Sequence, residues 1–99
     1  MESVDRRYKT QTFVCTNERP AGEACCYKNN GFEFFSKLKE RLIKERLYTQ
    51  HLATRSGCLG YCNEVGTTLV IHRDGQPSQW YTQVTDSDFE TIWNKITSG

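Results

Sequence analysis

Thr10-Gln11-Thr12-Phe13-Val14-Cys15 alternates in polarity, is rich in β-formers and ends in a thiol. It reads as a first strand with Cys15 at its C-terminal end. The next regular stretch is helical. From Gly31 to about Leu47, Phe35, Leu38 and Leu42 recur at helical spacing, and Phe32 and Ile43 are expected to widen the stripe. Glu33 and Glu40 precede Lys37 and Lys44 by four, which supports an exposed face. The mixed signs of Lys39-Glu40-Arg41 and Lys44-Glu45-Arg46 favour a solvated face over a phosphate-binding patch. His51-Leu52-Ala53-Thr54-Arg55 is a short second strand. Strand, helix and strand in this order imply a right-handed parallel crossover.

Thr67-Thr68-Leu69-Val70-Ile71-His72 is a third strand. Asp74-Gly75 with Pro77 and Ser78 forms a turn, and Gln79 to Val84 returns as a fourth strand. The hairpin makes the sheet mixed. Thr85-Asp86-Ser87-Asp88 then opens a second helix, with Thr85 as N-cap and two acids at its positive end. Phe89, Ile92, Trp93 and Ile96 fall at i, i+3, i+4 and i+7 and form its core face. The expected fold class is α/β (α+β): a small mixed β-sheet with two main helices in the order β-α-β-β-β-α. Residues 1–10 are charged and polar and read as a flexible lead-in, leaving residues 11–99 as a single domain.

The chain has 13 basic and 12 acidic side chains, so no basic excess points to nucleic acid. No apolar run approaches the roughly 20 residues needed to span a bilayer. Met1-Glu2-Ser3-Val4-Asp5-Arg6-Arg7 has no apolar signal region, so a cytoplasmic protein is expected. Structural disulfides are rare there, and an odd count of five cysteines fits poorly with full pairing. Metal or cluster binding is the better account of these thiols.

Ser56-Gly57-Cys58-Leu59-Gly60-Tyr61-Cys62 places two thiols four positions apart in a glycine-interrupted loop. Upstream stand Cys15 and the adjacent pair Cys25 and Cys26, the pair lying in a turn-rich stretch before the first helix. Four thiolates, from Cys15, one of Cys25 or Cys26, Cys58 and Cys62, would match the ligand set of a [2Fe–2S] cluster. The same set serves structural zinc. Zinc sites usually offer two short knuckles, whereas ten residues separate Cys15 from Cys26. A structural zinc-binding interaction module is therefore the second reading. Dithiol redox chemistry calls for Cys-x-x-Cys, but three residues separate Cys58 from Cys62. Rieske-type ligation needs two histidines among the ligands. His51 and His72 sit in strands with no adjacent cysteine and read as ordinary surface or half-buried residues. No Ser-His-Asp arrangement, phosphate loop or paired-carboxylate site suggests an enzyme.

The chain resembles the thioredoxin-like [2Fe–2S] ferredoxins over roughly residues 12–97. The resemblance rests on Phe13-Val14-Cys15-Thr16-Asn17 with Arg19-Pro20 and Gly22, then a cysteine shortly before a glycine and a helix. Gly57-Cys58-Leu59-Gly60-Tyr61-Cys62, Trp80-Tyr81, Val84-Thr85 and the C-terminal amphipathic helix continue it. It implies a thioredoxin-like fold, a [2Fe–2S] cluster near one end of the sheet, one-electron transfer to redox partner proteins (a reductase or oxidoreductase), and often a homodimer. By position the cluster cysteines fall on Cys15, Cys26, Cys58 and Cys62, with Cys25 as the alternative to Cys26. The loop after Cys15 is shorter than usual for that family and carries the two adjacent cysteines. A sensor or cluster-delivery role is compatible with the same ligands.

Such a cluster carries a formal double negative charge when oxidised, which would take the formal +1 of the chain to −1. N–H donors of Thr16, Asn17 and the 57–60 loop, with Arg19 or Arg55, are the expected compensation. All-cysteine ligation implies a low potential, roughly −400 mV as in plant-type ferredoxins. Trp80 and Tyr81 read as sheet packing or as a dimer or partner surface.

Overall fold

The computed structural model describes residues 1–4, 8–16, 31–57 and 66–98. Cys25, Cys26, Cys58 and Cys62 lie outside the described residues. Strand β1 (Thr10–Cys15) is followed by α1 (Gly31–Lys44), β2 (His51–Ser56), β3 (Thr67–Arg73) and β4 (Gln79–Val84). A single 3₁₀ turn over Asp86–Asp88 leads into α2 (Phe89–Thr97). The strands lie in the order β2-β1-β3-β4. β1 pairs parallel with β2 and antiparallel with β3, and β3 pairs antiparallel with β4. This is the expected mixed sheet with two helices.

Strand alternation divides the sheet into two faces. Val14, Ala53, Leu69, Ile71 and Val84 join Phe34, Phe35, Leu38 and Leu42 of α1 and Phe89, Ile92, Trp93 and Ile96 of α2 in one core. The Phe34 and Phe89 rings meet edge to face at 5.4 Å, so the two helices share one side of the sheet. On the other side Phe13 stands edge-on to His72 at 5.5 Å.

Helix α1 differs from expectation at both flanks. Phe32 and Ile43 do not widen its apolar stripe; both are exposed. Phe34 takes the place instead, because it stands four before Leu38 and eight before Leu42, on the same face at 3.6 residues per turn. The helix also stops before Leu47. Arg46 adopts a left-handed φ of 59°, and the Leu47 N–H bonds the Leu42 carbonyl at 2.8 Å while Arg46 N–H bonds that of Ile43 at 3.1 Å. This is a Schellman turn with arginine where glycine is usual, and it swings Leu47 against the core. Among the described residues, the ion pairs of α1 are made by Arg41, to Glu45 and Glu90, rather than by the Glu33–Lys37 and Glu40–Lys44 spacings. Thr85 caps the 3₁₀ turn rather than α2, whose N-cap is Asp88: the Thr85 N–H bonds Asp88 Oδ2 at 3.0 Å and its carbonyl accepts the Asp88 N–H at 2.9 Å.

The lead-in ends sooner than residue 10. The Lys9 N–H bonds the Gln50 carbonyl at 2.8 Å, and Thr10 is fully buried as the first residue of β1. His51 is likewise buried rather than half-exposed, because it opens β2 opposite Thr10, with its Nδ1 2.8 Å from the Thr10 hydroxyl. Burial holds its pKa below the usual histidine value, helped by the positive charges of Lys9 and Arg73. The fold therefore accommodates the neutral ring. Stability from this group is complete above the unfolded pKa of about 6.5 and is lost as pH falls from there towards the lowered folded value. Urea midpoints followed from about pH 8 to about pH 5 are expected to fall on acidification, and to fall less in His51→Gln. Equal pH dependence in the two proteins would remove this role.

Candidate metal centre

Cys15 closes β1 and pairs with Ser56, the last residue of β2. The Thr16 N–H and hydroxyl both donate to the Ser56 carbonyl, at 3.0 and 3.3 Å. Because β3 runs antiparallel to β1, its first residue arrives at the same end, where the Thr67 hydroxyl donates to the Cys15 carbonyl at 2.9 Å. Val84, the last residue of β4, pairs with Thr67. The first turn of α1 is there too: the Arg55 guanidinium lies 5.9 Å from the Phe32 ring. Thus Thr16 and Gly31, which flank the segment carrying Cys25 and Cys26, stand at the same end as Gly57 and Gly66, which flank the segment carrying Cys58 and Cys62.

Cys15 is fully buried, yet it lies outside the cluster that Val14 forms with the two helices. Alternation explains this, since Cys15 follows Phe13 by two and shares its side of the sheet, away from Val14 and the helices. Among the described residues no three His, Cys, Asp or Glu side chains gather as a metal site. A four-thiol centre that includes Cys15 would draw its other ligands from outside the described residues.

Histidine ligation at Cys15 is excluded by register. His51 pairs with Thr10 and His72 with Gln11. Those positions are five and four residues from Cys15 along β1, roughly 13–17 Å at about 3.3 Å per residue. One expected sulfur donor is also reassigned, because the Thr16 N–H is used by Ser56 in the sheet. Asn17, Arg19 and Gly60 lie outside the described residues. Arg55 is exposed beside Phe32 and places a positive charge at this end.

Gly66 and Thr67 are the residues that sequence reasoning passed over; it read Thr67 only as a strand former. A Cβ on Gly66 would lie 2.4 Å from the Val84 carbonyl oxygen and 2.6 Å from the Gln83 carbonyl carbon. The close approach accompanies an irregular register between β3 and β4 and a left-handed φ of 57° at Gln83. A glycine immediately before a strand is the sequence signal for such a contact. Gly57 differs, with open space where a Cβ would stand.

A [2Fe–2S] ferredoxin of Clostridium pasteurianum is 33% identical over 86 residues, spanning 85% of this chain and 80% of that protein. A thioredoxin-like [2Fe–2S] ferredoxin from Aquifex aeolicus matches in structure with a TM-score of 0.77 and 28% identity, over 93% of this chain and 83% of that one. The chain belongs to the thioredoxin-like [2Fe–2S] ferredoxin family. Within that family, the wild-type Aquifex ferredoxin in a further crystal structure gives a TM-score of 0.74 at 28% identity, covering 89% and 84% of the two chains. A cysteine-to-serine variant of it gives 0.75 at 28% identity, covering 91% and 88%. No family model matches the chain. No helix among the described residues of this ferredoxin is long and apolar enough to cross a membrane.

Gly66→Ala is expected to destabilise the ferredoxin by about 1–3 kcal/mol, because the added methyl meets backbone rather than a yielding side chain. Thermal unfolding of the apoprotein measures this. An unchanged midpoint would show that the end of β4 moves aside freely.

Proposed function

We propose that the chain is a cytoplasmic one-electron carrier that holds a [2Fe–2S] cluster through Cys15, Cys26, Cys58 and Cys62, with Cys25 as the alternative second ligand. The observation that carries this reading is the meeting of both cysteine-bearing segments' flanking residues at the one end of the sheet where Cys15 stands buried. The donor set fits the group. Four thiolates suit a [2Fe–2S] core, and no described histidine lies near enough to Cys15 to compete. When bound, the cluster supplies a site that takes up and gives back one electron. The chain's residues then have three tasks. Cys15 offers its ligand from a strand end held by both neighbours. The N-terminus of α1 and Arg55 favour negative charge at that end. Burial of Cys15 limits water around the ligand, which bears on the potential.

Four thiolate ligands leave no open coordination position for substrate, so electron transfer rather than catalysis is the reading. Redox partner proteins would dock over this end of the molecule, where electron transfer is shortest. Self-association would use β4, an edge strand whose Trp80 is 49% exposed.

Iron, acid-labile sulfide and zinc per chain, measured on anaerobically purified protein with visible spectra before and after dithionite, test the proposal. Two irons and two sulfides with reversible bleaching are expected. One zinc without sulfide or visible colour would replace the electron carrier with a structural metal site. Cys15→Ser is expected to lose or alter the cluster. Cys26→Ser is expected to do the same while Cys25→Ser leaves the spectrum unchanged; the reverse pattern would move the second ligand to Cys25.

A further inference from the structure

We infer that Thr67 is a positioning residue for the cluster, acting through the Cys15 backbone; this rests on the ligand assignment proposed above. Three observations carry it. The Thr67 hydroxyl donates to the Cys15 carbonyl at 2.9 Å, across 52 positions of sequence. Thr67 is fully buried, so solvent does not compete for that hydroxyl. Gly66, immediately before it, is pressed so closely against Val84 that no side chain fits, which fixes where β3 begins.

The position of this bond gives it a role beyond sheet closure. Cys15 is the ligand at the end of β1. Thr67 is the second residue after the segment that carries Cys58 and Cys62. The hydrogen bond therefore ties the backbone of one ligand to the re-entry point of the segment bearing two others. With its carbonyl held by Thr67 on the β3 side, and Thr16 held to Ser56 on the β2 side, the Cys15 peptide has little freedom to rotate. Its Cα–Cβ direction is set before any cluster binds. Partners of this kind, one bond removed from a ligand, fix its orientation and tune the bound metal. The same hydroxyl presents the positive end of its dipole towards the Cys15 peptide, beside a group that gains negative charge on reduction.

Thr67→Val keeps the β-branched shape and removes the donor, whereas Thr67→Ser keeps the donor and removes a methyl. Anaerobically purified holoproteins are compared for cluster loss to a chelator, midpoint potential and the EPR spectrum of the reduced form. Thr67→Val is expected to lose its cluster about fivefold faster than wild type, the effect of one net hydrogen bond. It is also expected to show a lower midpoint potential and a changed EPR line shape, with Thr67→Ser close to wild type in all three. Should Thr67→Val fail to fold, Thr67→Ala against Thr67→Ser isolates the hydroxyl in the same way. A Thr67→Val protein with wild-type cluster lifetime, potential and EPR would overturn the inference. So would a variant whose apoprotein is less stable while the cluster's potential and EPR are untouched, since that marks a purely structural hydroxyl. A wild-type chain that binds no iron or sulfide would instead defeat the cluster assignment itself, before any variant is compared.

Discussion

Everything at the functional end depends on β1 being a central strand, paired on both sides at its last residues. Cys15 faces Ser56 across a parallel pairing, and the Thr67 hydroxyl reaches the Cys15 carbonyl from the antiparallel side. A thiol at the tip of an edge strand would move with the fraying of that strand. A thiol at the tip of a strand held from both directions is set by two neighbours at once. The parallel crossover is needed for this, because it brings the ends of β1 and β2 to the same side of the molecule.

The core stabilises the sheet without crowding that end. Both helices lie on one face, joined by the edge-to-face pair of Phe34 and Phe89. Arg41 reinforces the same seam. Its guanidinium lies 2.7 Å from both Glu45 and Glu90 and 4.2 Å from the Trp93 ring. These charges are well exposed, so water and salt weaken the ion pairs, and stacking of the side chain over Trp93 matters more. Cys15 follows Val14 in the strand and is fully buried on the other side of the sheet. Val14 and Cys15, adjacent in the same strand, thus serve opposite faces of the sheet.

The elements were legible in the sequence where local pattern and tertiary need agree. The alternation of β1, the hairpin turn at Asp74-Gly75 and the apolar face of α2 all match what the fold buries. At α1 local pattern and tertiary need part company for two reasons. Phe32 and Phe34 are equally apolar, and which one is buried depends on where α2 places Phe89. The end of α1 was set too late because an arginine, not a glycine, takes the left-handed position at residue 46. His51 is buried although nothing in its sequence neighbours announces that Thr10 will stand opposite it.

The class of chemistry was likewise legible in the sequence, since cysteines at this spacing point to a soft metal or a cluster before any fold is known. Residue type limits which groups can bind soft metal, and that information is local. What brings Cys15, Ser56, Gly66 and Thr67 to one end of the sheet is not local at all. It follows from strand order β2-β1-β3-β4 and from the directions of pairing. Those arise from contacts 40 and 52 positions apart, such as Thr16 with Ser56 and Cys15 with Thr67. No short window of sequence contains both partners, so only the folded chain could assign Thr67 a place beside Cys15 and Gly66 its close approach to Val84.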